Sequence, residues 1–237
     1  MGLFSRKKKS QGNMHMRGFP GHVDTCKCLY LAAEKGVQID PDLLDLTGHE
    51  HEADAYLGLS PFGKIPCLGD GDLVISGAAA ILPYLDIKGG GQSLTPRKAV
   101  NLGEQNYWIE VGQYRVLPHI NTLLDEQVLR PMSDPAYTSD QEKIDAAISG
   151  LDLVFGVTDK HLEGKDYFTA DYSFTEIHWM PYLHFCDITG HGDLLEKRPH
   201  LKLWFDRIKS RKNGTRSTCD VLPSLDQIKG KDLKYVA

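Results

Sequence analysis

The chain has 237 residues, 41% hydrophobic and 25% charged, with a net charge of −5. That balance is globular and leaves room for one large domain or two small ones. It offers no basic surplus for nucleic acid, and no apolar run approaches the ~18 residues of a membrane span, so neither nucleic-acid binding nor stable membrane insertion is expected.

The first stretch, MGLFSRKKKSQGN, reads as a disordered basic tail over residues 1–13. No apolar h-region follows its charges, so it does not read as a signal peptide. Gly2 invites a myristoylation reading, but Arg6 stands where that motif needs Ser or Thr. His15 to Phe19 fits a short strand ended by Pro20. Asp24 to Lys35 is predicted helical, with Cys28, Leu31 and Ala32 on one face, Gly36 as the stop, and Asp24 or Thr25 as the cap. VQIDPDLLDL is extended, and HEADAYLGL is a short helix before Ser60-Pro61. IPCL and LVI flank Gly69-Asp70-Gly71-Asp72 and predict a hairpin centred on Asp-Gly. GAAAILPYLDI is a helix ended by the glycine-rich linker KGGGQSLTP.

Beyond the linker the pattern is helical throughout. RKAVNLGEQNYWIEVGQYRVLPHINTLLDEQVL predicts one long helix or two, bent at Pro118. Ile144, Ile148, Leu151, Val154 and Phe155 repeat at helical spacing. Ser173 and Glu176 have the spacing of a capping box. PHLKLWFDRIKSR is a closing amphipathic helix, and Trp179, Trp204 and Phe205 read as core. The expected organisation is a small α/β domain over 14–88 and a helical domain over 95–225. Five cysteines in no scaffold-like spacing suggest a reducing, cytoplasmic setting. The ten histidines include His49-x-His51 and His178-(x)5-His184, neither of which has the spacing of a closed zinc site, so no metal is expected.

Four stretches together carry a family resemblance: CLYLAAEKGV, SPFGKIPCLGDGDLVI, SFTEIHWMPYL and RPHLKLWFDRIKSR. The chain resembles the cytosolic glutathione transferases, most closely the phi and theta-like branches. The resemblance runs from about His15 to Arg216. It implies an α/β plus all-α fold: a thioredoxin-like N-terminal domain followed by an all-helical C-terminal domain. It implies glutathione as co-substrate, a small-molecule electrophile as its partner in reaction, and a homodimer.

The resemblance also assigns site residues. Pro66 would be a cis-proline that presents the main chain of Ile65 as an open strand edge, against which the cysteinyl residue of glutathione pairs. His51 stands at the family's histidine position for the glycine carboxylate, but Glu52 replaces the usual lysine, and Lys64 offers a substitute charge. Gly77-Ala78 replace the family's Glu-Ser pair at the γ-glutamyl end. Ser76 is one residue out of register, and a helix N-terminus remains to attract an anion. The thiol activator, a Ser or Cys in these branches, falls on His22 by counting back from Gly36. Lys27 then stands where the family usually has arginine. Thr25 and Cys26, at the helix N-terminus, are the alternatives, and Cys26 there would have a depressed pKa. The hydrophobic substrate side would involve Phe19, Tyr107, Tyr114, Pro118 and His119.

Three functional readings follow. The first is a glutathione transferase that activates the thiol for attack on a hydrophobic electrophile in an interdomain cleft. The second is a non-catalytic protein of transferase fold that binds a hydrophobic ligand or a protein partner. The third is a glutathione-linked enzyme of altered thiol specificity.

Overall fold

A computed structural model describes residues 14–230. The basic tail 1–13 lies outside the described residues. The chain divides into two compact units. The first holds the described residues up to Gly91 together with Lys212–Pro223, and the second holds Gln92–Arg211 and Ser224–Lys229.

The first unit is built on a four-stranded sheet. Strand β1 (Met14–Gly18) leads into helix α1 (Val23–Lys35) and strand β2 (Ile39–Leu43). A short helix α2 (Asp54–Leu57) precedes strands β3 (Cys67–Asp70) and β4 (Leu73–Ser76), and helix α3 (Ala78–Gly89) closes the run. The sheet order is β2-β1-β3-β4. β1 and β2 are parallel, with Met14 beside Ile39; β1/β3 and β3/β4 are antiparallel, with Leu68 beside both Met16 and Ile75. Met16 and Leu68 are buried at the sheet centre. The hairpin turn is Gly71-Asp72, one residue later than the sequence suggests, because Asp70 and Leu73 pair across it.

Helix α1 is almost wholly buried, from Val23 through Ala32 apart from Asp24. Its N-cap is His22, not Asp24 or Thr25. Asp24 instead accepts from Lys27 Nζ at 2.8 Å, satisfying a fully buried ammonium one turn away. The helix ends as its sequence predicts. Gly36 takes φ 64°, a left-handed conformation that glycine adopts without steric cost, and Val37 N donates to Ala32 O at 2.8 Å. Helix α3 packs on α1 through Ile81, Leu82 and Leu85, and a buried ion pair, Lys35 Nζ to Asp86 Oδ1 at 2.6 Å, joins the two.

The last part of this unit comes from far along the chain. A two-stranded ribbon, β5 (Lys212–Asn213) with β6 (Arg216–Ser217), and a 3₁₀ turn (Thr218–Val221) return to the C-terminal end of α1. Asn213 Nδ2 donates to Ala33 O at 2.9 Å, and Thr218 Oγ1 to Glu34 Oε1 at 2.7 Å. Residues 212–223, expected within the helical domain, pack with the first unit. Nothing in their composition announces this, since the contacts that recruit them lie nearly 180 residues upstream.

The second unit is helical. Its path runs through α4 (Ala99–Val111), a π turn at Gly112–Val116, α5 (Leu117–Leu124), a second π turn at Asp125–Leu129 and α6 (Arg130–Ser133). The first π turn ends just before Pro118, whose ring cannot accept a regular helix before it, so the bend expected at Pro118 is spread over that turn. α7 (Gln141–His161), α8 (Phe174–Cys186), α9 (Asp193–Glu196) and α10 (Pro199–Lys209) follow. Trp179 and Trp204 are fully buried and Phe205 nearly so. Phe168 stands between both tryptophans, with ring centroids 4.7 and 5.2 Å away. The predicted capping box is present: Ser173 N donates to Glu176 Oε2 at 2.9 Å, and Thr175 N to Ser173 Oγ at 3.2 Å.

Candidate functional site

The chemistry-bearing residues of the first unit meet around the loop before β3, the start of α1 and the junction of β4 with α3. The Ile65–Pro66 peptide bond is cis. The Ile65 side chain is buried with Leu44, Tyr56 and Cys67. Its main-chain N–H and C=O make no hydrogen bond among those of the described residues. The carbonyl just before it behaves differently. Lys64 O accepts from Tyr56 Oη at 2.7 Å and from Ser60 Oγ at 3.0 Å. Ser60 Oγ also lies 2.6 Å from Ser76 Oγ, and Gly77 N donates to Pro66 O at 2.9 Å. The loop is therefore pinned on its inner side and unpaired at Ile65.

His22 sits half-buried at the start of α1, and its Nδ1 has no hydrogen-bond partner. Burial holds the imidazole below its ordinary pKa, Lys27, His51 and Lys64 push it the same way, and Asp24 opposes. The ring is therefore neutral near pH 7, with one unpartnered nitrogen and the side chains of Lys27, His51 and Lys64 in electrostatic reach. Lys64 is exposed and makes no ion pair among the described residues. His51 Nε2 stands 3.5 Å from Glu52 Oε1, so the acidic substitute at the lysine position partly engages it.

The two alternatives to His22 are placed differently. Cys26 is fully buried, and its thiol donates to Pro20 O at 2.9 Å. Burial, followed by the nearby Asp24, pushes its pKa far up, so the expectation of a depressed thiol at the helix start is corrected. Desolvation outweighs the helix end because no solvent reaches the sulfur. Thr25 is also fully buried. Its hydroxyl lies beside Gly18, where an added Cβ would come within 2.9 Å of Oγ1. Thr25 Oγ1 and His22 Nδ1 both lack a hydrogen-bond partner, and of the three residues only His22 is not fully buried.

At the other end, α3 starts from Gly77, with φ 85°, and Ala78 is buried. The N–H groups of Ala78 and Ala79 have no partner among the described residues, and the first turn holds no acidic residue. That end attracts an anion and has no carboxylate of its own to meet an ammonium.

The residues expected on the substrate side divide. Phe19, expected as a lining residue, is 6% exposed and belongs to the buried core. In the second unit Tyr107 and Tyr114 are well exposed, as is Pro118. His119 is half-buried against α7, where its ring occupies the space a side chain at Gly150 would need. Its pKa is lowered by that burial. Among the described residues no three His, Cys, Asp or Glu side chains gather as metal ligands. No helix of the described residues is long and apolar enough to cross a membrane. Sequence reasoning missed Tyr56 and Ser60, whose roles come from a carbonyl that only the folded loop turns toward them.

Residues 13–87 match the family model for the glutathione S-transferase N-terminal domain, and residues 113–212 match the one for the C-terminal domain. Glutathione S-transferase F4 of Arabidopsis thaliana is 28% identical over 222 residues, covering 90% of this chain and 87% of that protein. The crystal structure of glutathione transferase F7 from Populus trichocarpa aligns with a TM-score of 0.74 at 26% identity, over 84% of this chain and 94% of that one. Glutathione S-transferase III in its apo form aligns with a TM-score of 0.76 at 27% identity, over 90% and 98%.

Proposed function

Because the chain belongs to the glutathione S-transferase family, we propose that it is a glutathione transferase in which a neutral histidine, His22, takes the thiol proton. The observation that carries this is the unpaired main chain of Ile65, next in sequence to Lys64, which acts electrostatically on a His22 ring whose Nδ1 has no partner. The cysteinyl residue of glutathione pairs with that edge as an added strand. The open N–H groups at the start of α3 receive the γ-glutamyl carboxylate. Lys64 and His51 supply positive charge for the glycine carboxylate.

The chemistry then balances simply. The glutathione S–H proton passes to the free nitrogen of His22. The sulfur lone pair forms the S–C bond to an electrophilic carbon, and the leaving group departs with its electron pair. The imidazolium then returns its proton to solvent or to the leaving group. The ammonium groups of Lys27 and Lys64 disfavour the imidazolium but favour the thiolate, so the step is poised between the two. Thr25 and Cys26 shape the wall behind His22. Tyr107, Tyr114, Pro118 and His119 are proposed to meet the hydrophobic electrophile, and the enzyme is proposed to act as a cytoplasmic homodimer.

Retention on immobilised glutathione and conjugation of chloro-dinitrobenzene test this reading. It predicts both, with the activity removed in His22→Ala. A protein that neither binds nor conjugates glutathione would be a transferase scaffold without the activity. The missing acidic residue at the start of α3 also favours relaxed recognition of the glutathione amine. That second reading predicts turnover of thiols lacking the amine at rates comparable with glutathione.

A further inference from the structure

Lys64 O and the N–H of Ile65 are opposite ends of one trans peptide plane, since the cis bond is the following one. Whatever holds that oxygen inward therefore aims that N–H outward. Two donors, Tyr56 Oη and Ser60 Oγ, hold it, at 2.7 and 3.0 Å. Both residues are 1% exposed, so neither bond competes with bulk water. Ser60 has a single hydroxyl proton, which the Lys64 carbonyl takes. The 2.6 Å contact between Ser60 Oγ and Ser76 Oγ then requires Ser76 to be the donor. The hydroxyl chain runs one way, from Ser76 to Ser60 to Lys64 O, and links the end of β4 to the ligand loop.

We propose that Ser60 is a positioning residue: with Tyr56 it holds the Lys64 carbonyl inward and so aims the Ile65 N–H at the main chain of the bound thiol peptide. This rests on the glutathione reading above. It goes beyond it by assigning the aim of the edge to a buried hydroxyl that touches no substrate.

The test is a comparison of wild type with Ser60→Ala, Ser60→Thr and Tyr56→Phe. It uses calorimetric Kd for glutathione, steady-state KM and kcat, and thermal unfolding. Leaving one buried acceptor bond unmade is expected to raise Kd and KM for glutathione in Ser60→Ala by roughly tenfold, with kcat and the KM of the electrophile little changed. Ser60→Thr, which keeps the hydroxyl, is expected to restore binding. Tyr56→Phe removes the other donor and is expected to weaken glutathione in the same sense, so the claim stays testable if Ser60→Ala does not fold. A folded Ser60→Ala or Tyr56→Phe that binds glutathione as tightly as wild type overturns this inference and leaves the transferase reading standing. A fall in kcat and melting temperature with unchanged Kd also overturns it, since that is the mark of a merely structural serine. A wild type that does not bind glutathione overturns both.

Discussion

His22 brings together a desolvated imidazole, a ring nitrogen without a partner and the ammonium groups of Lys27 and Lys64 in electrostatic reach. His22→Ala is expected to lower kcat/KM for conjugation by on the order of 100-fold, the usual contribution of a positioned proton acceptor. Because burial keeps the ring neutral below its ordinary 6.5, the acid limb of the wild-type pH–kcat/KM profile is expected below pH 6.5. A limb above that value would assign the proton to another group. Cys26→Ala, by contrast, is expected to keep its activity, and native Cys26 is expected to resist thiol-alkylating reagents at neutral pH, as shown by mass-spectrometric labelling. The position of His22 was legible by counting back from Gly36, because the distance from a helix stop to its start is a local property. Its charge state was not, since His51 and Lys64 approach it only after the chain has folded. Cys26 misled for the same reason: helix-end electrostatics can be read from a sequence, but desolvation by distant residues cannot.

At the scale of elements, the π turn before Pro118 sets how α5 lies on α7. His119 rests directly over Gly150, and a Cβ there would stand 2.2 Å from its ring. Gly150→Ala is therefore expected to destabilise the fold by about 1–3 kcal/mol through overpacking, despite alanine's better helix propensity, as measured by chemical denaturation. A stabilised variant would mean that the ring moves aside freely. The start of α8 was readable because Ser173 and Glu176 lie within one turn and cap each other. The start of α1 was not, because its nearest cap-like side chain, Asp24, is claimed by the buried Lys27. The hairpin was readable from its glycines, but only to within one residue, since register depends on which neighbours β3 meets.

At the scale of the whole molecule, four histidines of the described residues shift in the same direction. His22, His119, His161 and His191 all have pKa values lowered from 6.5, each chiefly by burial. In each case the unfolded chain binds the proton more readily than the folded one. Stability is therefore fully present above pH 6.5 and is lost as pH falls through the region below it. Glu176, whose pKa burial raises, works in the opposite sense, but alone against four. The expected outcome is a melting temperature that declines between about pH 6.5 and 5, above the range where ordinary carboxylates titrate. A flat profile there would mean that these rings are solvated in the folded protein. The order of an α/β unit followed by helices was visible in the sequence, because the periodicity changes at the triple glycine. The return of residues 212–223 was invisible, because it depends on the exposed carbonyls at the end of α1.

That return has a temporal meaning. A ribosome releases the sheet and its helices first, yet Ala33 O and the Glu34 carboxylate gain Asn213 and Thr218 as partners only about 180 residues later. The opening domain is thus completed only after the helical unit has been made, and a nascent chain stalled before Lys212 carries α1 without those two added bonds.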